Sequence, residues 1–218
     1  MQKTKITRIN YAIETYRKNC SSYTFELSKS RVVKDGNYRE CLLGKNAIYI
    51  PIDKCASNSM RKCLIEKGFI SMEKIKDHDT ALERFKDWNH FAVVRQPISR
   101  YVSGLTEFIF RYSHESNKCY EYLEKSLSEN KFIFDGHTMP MDCTLYFRDN
   151  VKLFKLNDSL HGQVSNYLGL DLFPMENLNR SLDSFKESAQ KLFDRYCKNN
   201  PEFYEFCKKD FDIWESAC

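Results

Sequence analysis

The 218-residue sequence predicts an α/β protein with a central parallel β-sheet covered by helices on both faces. Three observations predict it. Residues 47–52 form a short apolar run with aromatic and β-branched members, after which Met60, Cys63 and Leu64 recur at helical spacing. Residues 90–94 form a second such run, leading through Arg95 into a long amphipathic pattern that begins at Pro97. Further strand and helix patterns then alternate toward the C-terminus, an order that suits strands joined by helical crossovers.

Residues 1–45 are polar, dotted with aromatics and without clear periodicity, and carry a turn signal at Asp35-Gly36-Asn37. They are expected to form an N-terminal extension packed on a main domain spanning residues 46–218. Within that domain the first strand is 47–52, a short helix covers 80–88, and the second strand is 90–94. From Pro97, the positions Ile98, Tyr101, Val102, Leu105, Phe108, Ile109 and Tyr112 follow the i, i+3, i+4, i+7 rule, with proline in the first turn. Residues 119–128 form the next helix, 151–156 a late strand, and 159–168 a helix stopped by Gly169. Helices over 182–197 and 202–214 follow, divided by Asn199-Asn200-Pro201. The chain has no internal repeat and no low-complexity segment.

Composition narrows the function. With 42% apolar and 14% aromatic residues the chain can bury one substantial core. Its 34 basic and 30 acidic residues leave a net charge of +4, too balanced for a nucleic-acid coat, so a positive field must come from local placement. Nine cysteines cannot all pair within the chain and none forms a Cys-x-x-Cys pair, which points to reduced, packed thiols and to no metal site. No apolar run reaches signal-peptide or membrane-spanning length. The expectation is a soluble cytoplasmic protein of bacterial or viral type, with the Golgi lumen as its setting only if an anchor has been removed.

The chemistry concentrates in two segments. In the first, Lys54-Cys55-Ala56-Ser57-Asn58-Ser59-Met60-Arg61 lies where a strand hands over to a helix. Backbone N–H groups at a helix N-terminus favour anions, Ser57, Asn58 and Ser59 add side-chain donors, and a lysine can follow charge onto a leaving oxygen. The glycines of a Walker A loop are missing, which counts against an ordinary kinase or ATPase. In the second segment Arg95 ends a strand and Ser103 follows on the next helix. Taken singly, the first segment also reads as a surface lysine followed by a serine cap, and the second as surface ion pairs of Arg95 and Arg100. Their joint occurrence, each after a strand, favours one phosphate-rich site.

Together the two segments resemble those of sulfotransferases that use 3′-phosphoadenosine 5′-phosphosulfate (PAPS), especially the carbohydrate-type branch. Residues 54–61 resemble the family's 5′-phosphosulfate loop. Val94-Arg95-Gln96-Pro97-Ile98-Ser99-Arg100-Tyr101-Val102-Ser103 resembles its 3′-phosphate motif of arginine, aspartate, proline, a second arginine and a serine. Asp135-Gly136-His137-Thr138-Met139-Pro140, Asn179-Arg180-Ser181 and residues 203–214 resemble further family elements more weakly. The chain departs from the pattern at Asp53, where proline is usual, at Asn58, where threonine is common, and at Gln96, where aspartate is usual.

The resemblance implies the P-loop-like sulfotransferase fold and in-line transfer of a sulfuryl group from PAPS to an acceptor hydroxyl, with a glycan as acceptor and no metal. It implies that Lys54 stabilises the leaving 5′-phosphate and that the loop from Cys55 to Arg61 holds the phosphosulfate. Arg95 and Ser103 would hold the 3′-phosphate, while Arg61 and Arg100 are open to phosphate contact or to pairing within the fold. The acceptor hydroxyl needs a base, for which His78 is the first choice and His137 the second, with Glu73 and Glu83 as carboxylate substitutes. His90 reads as a packed residue, and His114 and His161 have no supporting context. Trp88, Tyr112, Tyr146 and Phe147 are candidates for a sugar platform or for the core. The alternatives are a protein that binds PAPS or its bisphosphate product without transferring, and a nucleotide kinase with a degenerate phosphate loop.

Overall fold

The computed structural model describes residues 41–71, 85, 87–112, 117–145, 151–172 and 183–218. Strand β1 (Leu42–Gly44) reverses into β2 (Ala47–Ile50) through Lys45 and Asn46, whose φ angles of 51° and 56° suit a two-residue hairpin turn. The chain then forms α1 (Ser57–Glu66), β3 (Ile70–Ser71), β4 (Asn89–Val94), α2 (Pro97–Tyr112) and α3 (Asn117–Ser128). It continues through α4 (Met141–Leu145), β5 (Val151–Lys155), α5 (Leu160–Leu168), α6 (Asp183–Tyr196) and α7 (Pro201–Ser216).

Among the described residues, five strands form one sheet in the order β3-β1-β2-β4-β5. The expected parallel arrangement holds for β2, β4 and β5, whereas β1 runs antiparallel to both β2 and β3. The sheet is therefore mixed rather than wholly parallel, because a two-residue turn can only reverse the chain while parallel neighbours need a long crossover. The boundary expected at residue 45 runs through the β1–β2 hairpin, and residues 1–40 of the expected extension lie outside the described residues.

Alternation along the strands sends their side chains to two cores. Tyr49, Phe91, Val93 and Phe154 pack with Met60 and Leu64 of α1 and with Leu160 and Val164 of α5. Ile48, Ile50, Ala92 and Val94 pack on the other face with Met141 of α4 and with Ile213, Trp214 and Ala217 at the end of α7. Helices thus cover both faces. A third cluster joins α2, α3, α6 and α7 through Tyr101, Leu105, Ile109, Leu123, Phe193 and Phe203. Among the described residues, Cys41, Cys55, Cys63, Cys119, Cys197 and Cys207 are buried thiols outside any disulfide, whereas the Cys218 thiol is exposed.

Local signals explain the helix ends. Asn200 caps α7 by accepting a hydrogen bond from the Glu202 N–H at 3.0 Å, with Pro201 at the first helical position. Gly169 ends α5 in the left-handed region at φ 62°, as the sequence predicts. Of the helix expected over 80–88, the described end is a turn in which the Trp88 N–H donates to the Phe85 carbonyl at 3.0 Å. Among the described residues, no helix is long and apolar enough to cross a membrane.

Candidate functional site

Parallel strands β2 and β4 deliver their C-terminal ends side by side, with Ile50 paired to Ala92. The loop leaving β2 turns sharply without glycine: Lys54 and Ala56 adopt φ values of 65° and 57°, each costing about 1–2 kcal/mol for a residue with a Cβ. Ala56 is the N-cap of α1, and having no polar side chain it caps none of the first-turn N–H groups. Ser57 is half-buried, Asn58 exposed and Ser59 buried around that first turn. Cys55 and Met60 are fully buried, so any ligand contact from them is made by the backbone. Burial pushes the Cys55 thiol up to about 11, which keeps it protonated, and its Sγ lies 3.9 Å from Met141 Sδ.

The second segment closes on the first. Gln96 occupies the position where the family pattern has aspartate, and its Oε1 accepts from the Ser99 N–H at 2.7 Å at the start of α2. A neutral amide thus performs the capping that a carboxylate would. Arg95 donates from Nη1 to the Lys54 carbonyl at 3.4 Å. Among the described residues it has no carboxylate partner, and burial pulls its guanidinium below the ordinary arginine value, with Arg100 adding to that and Cys55 opposing it. Ser103 is half-buried on α2, two turns from Arg95.

Arg100 takes a different role. It is 2% exposed, donates from Nε to the Asp53 carbonyl at 3.0 Å and from Nη1 to the Met139 carbonyl, and faces the Asp210 carboxylate at 4.0 Å. Asp210 accepts in turn from the N–H groups of Met141 and Asp142 at 2.7 and 3.2 Å. Burial pushes the Asp210 carboxyl up to about 7, against the opposing pull of Arg100. Of the two roles open to Arg100, the fold has taken it for structure: it clips loop 51–56 to the segment before α4 and to α7.

A stripe on α2 extends the site. Ser103, Glu107 and Arg111 recur every four residues and so share one face of the helix. Lys54 Nζ donates to Glu107 Oε2 at 3.3 Å, and Arg111 Nε donates to Glu107 Oε1 at 2.8 Å. Burial works to raise the Glu107 carboxyl, but hydrogen bonds and charge from Arg111 and Lys54 outweigh it and hold the group below the usual range. Arg111 Nη2 reaches His137 Nε2 at 3.3 Å, and His137 Nδ1 lies 2.9 Å from Asp135 Oδ2. A guanidinium only donates, so Nε2 is the acceptor and Nδ1 carries the proton given to Asp135. The His137 loop rests directly on α2 at Gly104, where an added Cβ would stand 2.4 Å from the His137 carbonyl oxygen.

The structure therefore brings together Lys54, the start of α1, Arg95, Ser103 and His137. His78, Glu73, Glu83, His114, Tyr146, Phe147 and the segment 179–181 lie outside the described residues. Arg61 is half-buried on α1. His161, on α5, bonds the Leu172 carbonyl beyond that helix, and His90 sits half-buried on β4 opposite Val151. Trp88 packs with Phe85 at 4.4 Å against a core, while Tyr112 is exposed. Sequence reasoning passed over Glu107 and Arg111, and gave no role to Asp135 and Asp210, which lie in the weakly resembling segments 135–140 and 203–214. The spacing of four from Ser103 to Glu107 to Arg111 was the available signal for Glu107 and Arg111. Comparisons with protein-family models, with curated proteins and with solved structures find no match.

Proposed function

We propose that this chain is a sulfotransferase that moves a sulfuryl group from PAPS to a hydroxyl of a carbohydrate acceptor. The observation that carries the reading is the junction of the two motifs: a partly buried arginine that has no carboxylate partner among the described residues donates to the backbone carbonyl of the loop lysine. A guanidinium so placed gains most from an anionic ligand, which supplies the missing counter-charge in a low-dielectric setting. The left-handed Ala56 followed by helical residues turns successive N–H groups toward one side, an arrangement suited to phosphate or sulfate oxygens.

In this reading the 5′-phosphosulfate lies at the start of α1, against Ser57, Asn58, Ser59 and the backbone from Cys55 to Arg61. Lys54 leaves Glu107 and follows the charge that develops on the leaving 5′-phosphate. Arg95 and Ser103 hold the 3′-phosphate, and His137, oriented by Asp135, takes the acceptor proton. Replacing Lys54 by alanine is expected to lower sulfate transfer by about 10²–10³ with an unchanged far-ultraviolet dichroism spectrum. Labelled-sulfate transfer to a panel of hydroxylated acceptors checks it, and undiminished transfer by the variant would remove the lysine from the mechanism. The ion pair between Lys54 and Glu107 favours one second reading, a protein that binds the donor without turnover. Donor binding with no transfer to any acceptor would decide for that reading.

A further inference from the structure

We infer that Glu107 is a positioning residue that links the lysine end of the site to His137 and releases the histidine when the donor binds, an inference that rests on the donor reading above. An unbroken polar chain runs from Lys54 through Glu107 and Arg111 to His137. Lys54 Nζ and Arg111 Nε each occupy one oxygen of Glu107, and Arg111 Nη2 donates to His137 Nε2. As long as Arg111 bonds there, the lone pair that a base needs is occupied.

Donor binding changes the count of partners. Once Lys54 turns to the phosphosulfate, Glu107 Oε2 loses its cation. Arg111 can then present Nε and Nη2 to both carboxylate oxygens, the paired geometry that guanidinium and carboxylate favour. That rotation takes Nη2 away from His137. It is open to Arg111, whose side chain is 51% exposed, and much less so to His137, whose side chain is 16% exposed and held at Nδ1 by Asp135. His137 stays in place with Nε2 freed.

The step balances. The acceptor oxygen forms a bond to sulfur as the bond from sulfur to the 5′-phosphate oxygen breaks, and its electron pair stays on that phosphate, stabilised by Lys54. The acceptor proton passes to His137 Nε2. Because Nε2 opens only after Lys54 has moved, the base is ready only when the donor is in place, which limits proton abstraction in its absence.

The reactivity of His137 toward diethyl pyrocarbonate, which acylates unblocked imidazole nitrogen, tests the linkage when read at this residue by peptide mass mapping. Lys54→Met removes the lysine's hold without any ligand and is expected to raise the His137 rate about fivefold, the worth of one ordinary hydrogen bond. Adenosine 3′,5′-bisphosphate should do the same to the unaltered protein, and Glu107→Gln should give one rate with and without it. Equal His137 rates in Lys54→Met and the unaltered protein overturn the linkage, as does a bisphosphate response that survives Glu107→Gln. Thermal shifts recorded on the same samples judge the donor reading separately: without a bisphosphate shift that reading fails, while Lys54→Met still decides the linkage.

Discussion

Arg95 and Arg100 sit in one short segment and meet opposite fates. Arg100 is enclosed, with two backbone carbonyls and a buried carboxylate around it, so its charge is spent on holding loop 51–56, the segment before α4 and α7 together. Arg95 stands just past the end of β4 and, among the described residues, makes one long hydrogen bond to a carbonyl and meets no carboxylate. Residue type and spacing are the same kind of signal for both. The difference lies in which way each side chain leaves the backbone, and it teaches that a motif's arginines divide between building the loop and serving it.

The largest effect should come from breaking the enclosed arginine. Arg100→Ala leaves Asp210 buried without its cation and frees two carbonyls, for an expected loss of about 3–5 kcal/mol and a drop in Tm of about 6–20 °C. Arg95→Ala, measured beside it by calorimetry, should shift Tm far less. Equal losses would erase the contrast between the two positions.

A smaller effect sharpens the same contrast through pH. The Asp210 carboxyl is raised from 3.8 to about 7 by burial, so between those values the folded protein binds a proton that the unfolded chain has released. The group's contribution to stability therefore falls as pH rises from about 4 to about 7 and levels off above. The Tm difference between the unaltered protein and Asp210→Asn should follow that slope, and a difference flat across the window would mean that Arg100 holds the carboxylate ionised throughout.

The parts of the molecule legible in the sequence are those that local chemistry determines. Continuous apolar runs mark β2 and β4 because both faces of these strands are buried, and Pro97 with its periodic apolar positions marks α2 nearly to the residue. The short strands β1 and β3 were not legible, since three and two residues paired across the chain leave no periodicity to read. Lys45-Asn46 gives a hairpin turn a weaker signature than Asn-Gly does. The site divides in the same way. Lys54 and Arg95 could be read from strand-to-helix turns, whereas the bond between Lys54 and Glu107, and the contact of Arg111 with His137, depend on how α2 lies against two loops.

The proposed service of Arg95 to a 3′-phosphate is tested by thermal stabilisation of the unaltered protein and of Arg95→Ala with adenosine 3′,5′-bisphosphate and with AMP. At about 100 times its dissociation constant, a specific ligand adds about 2.7 kcal/mol, or about 5–10 °C here. That shift is expected for the unaltered protein with the bisphosphate, little with AMP, and no distinction between the two ligands in Arg95→Ala. Equal shifts with both ligands in the unaltered protein, or none with either, would contradict it.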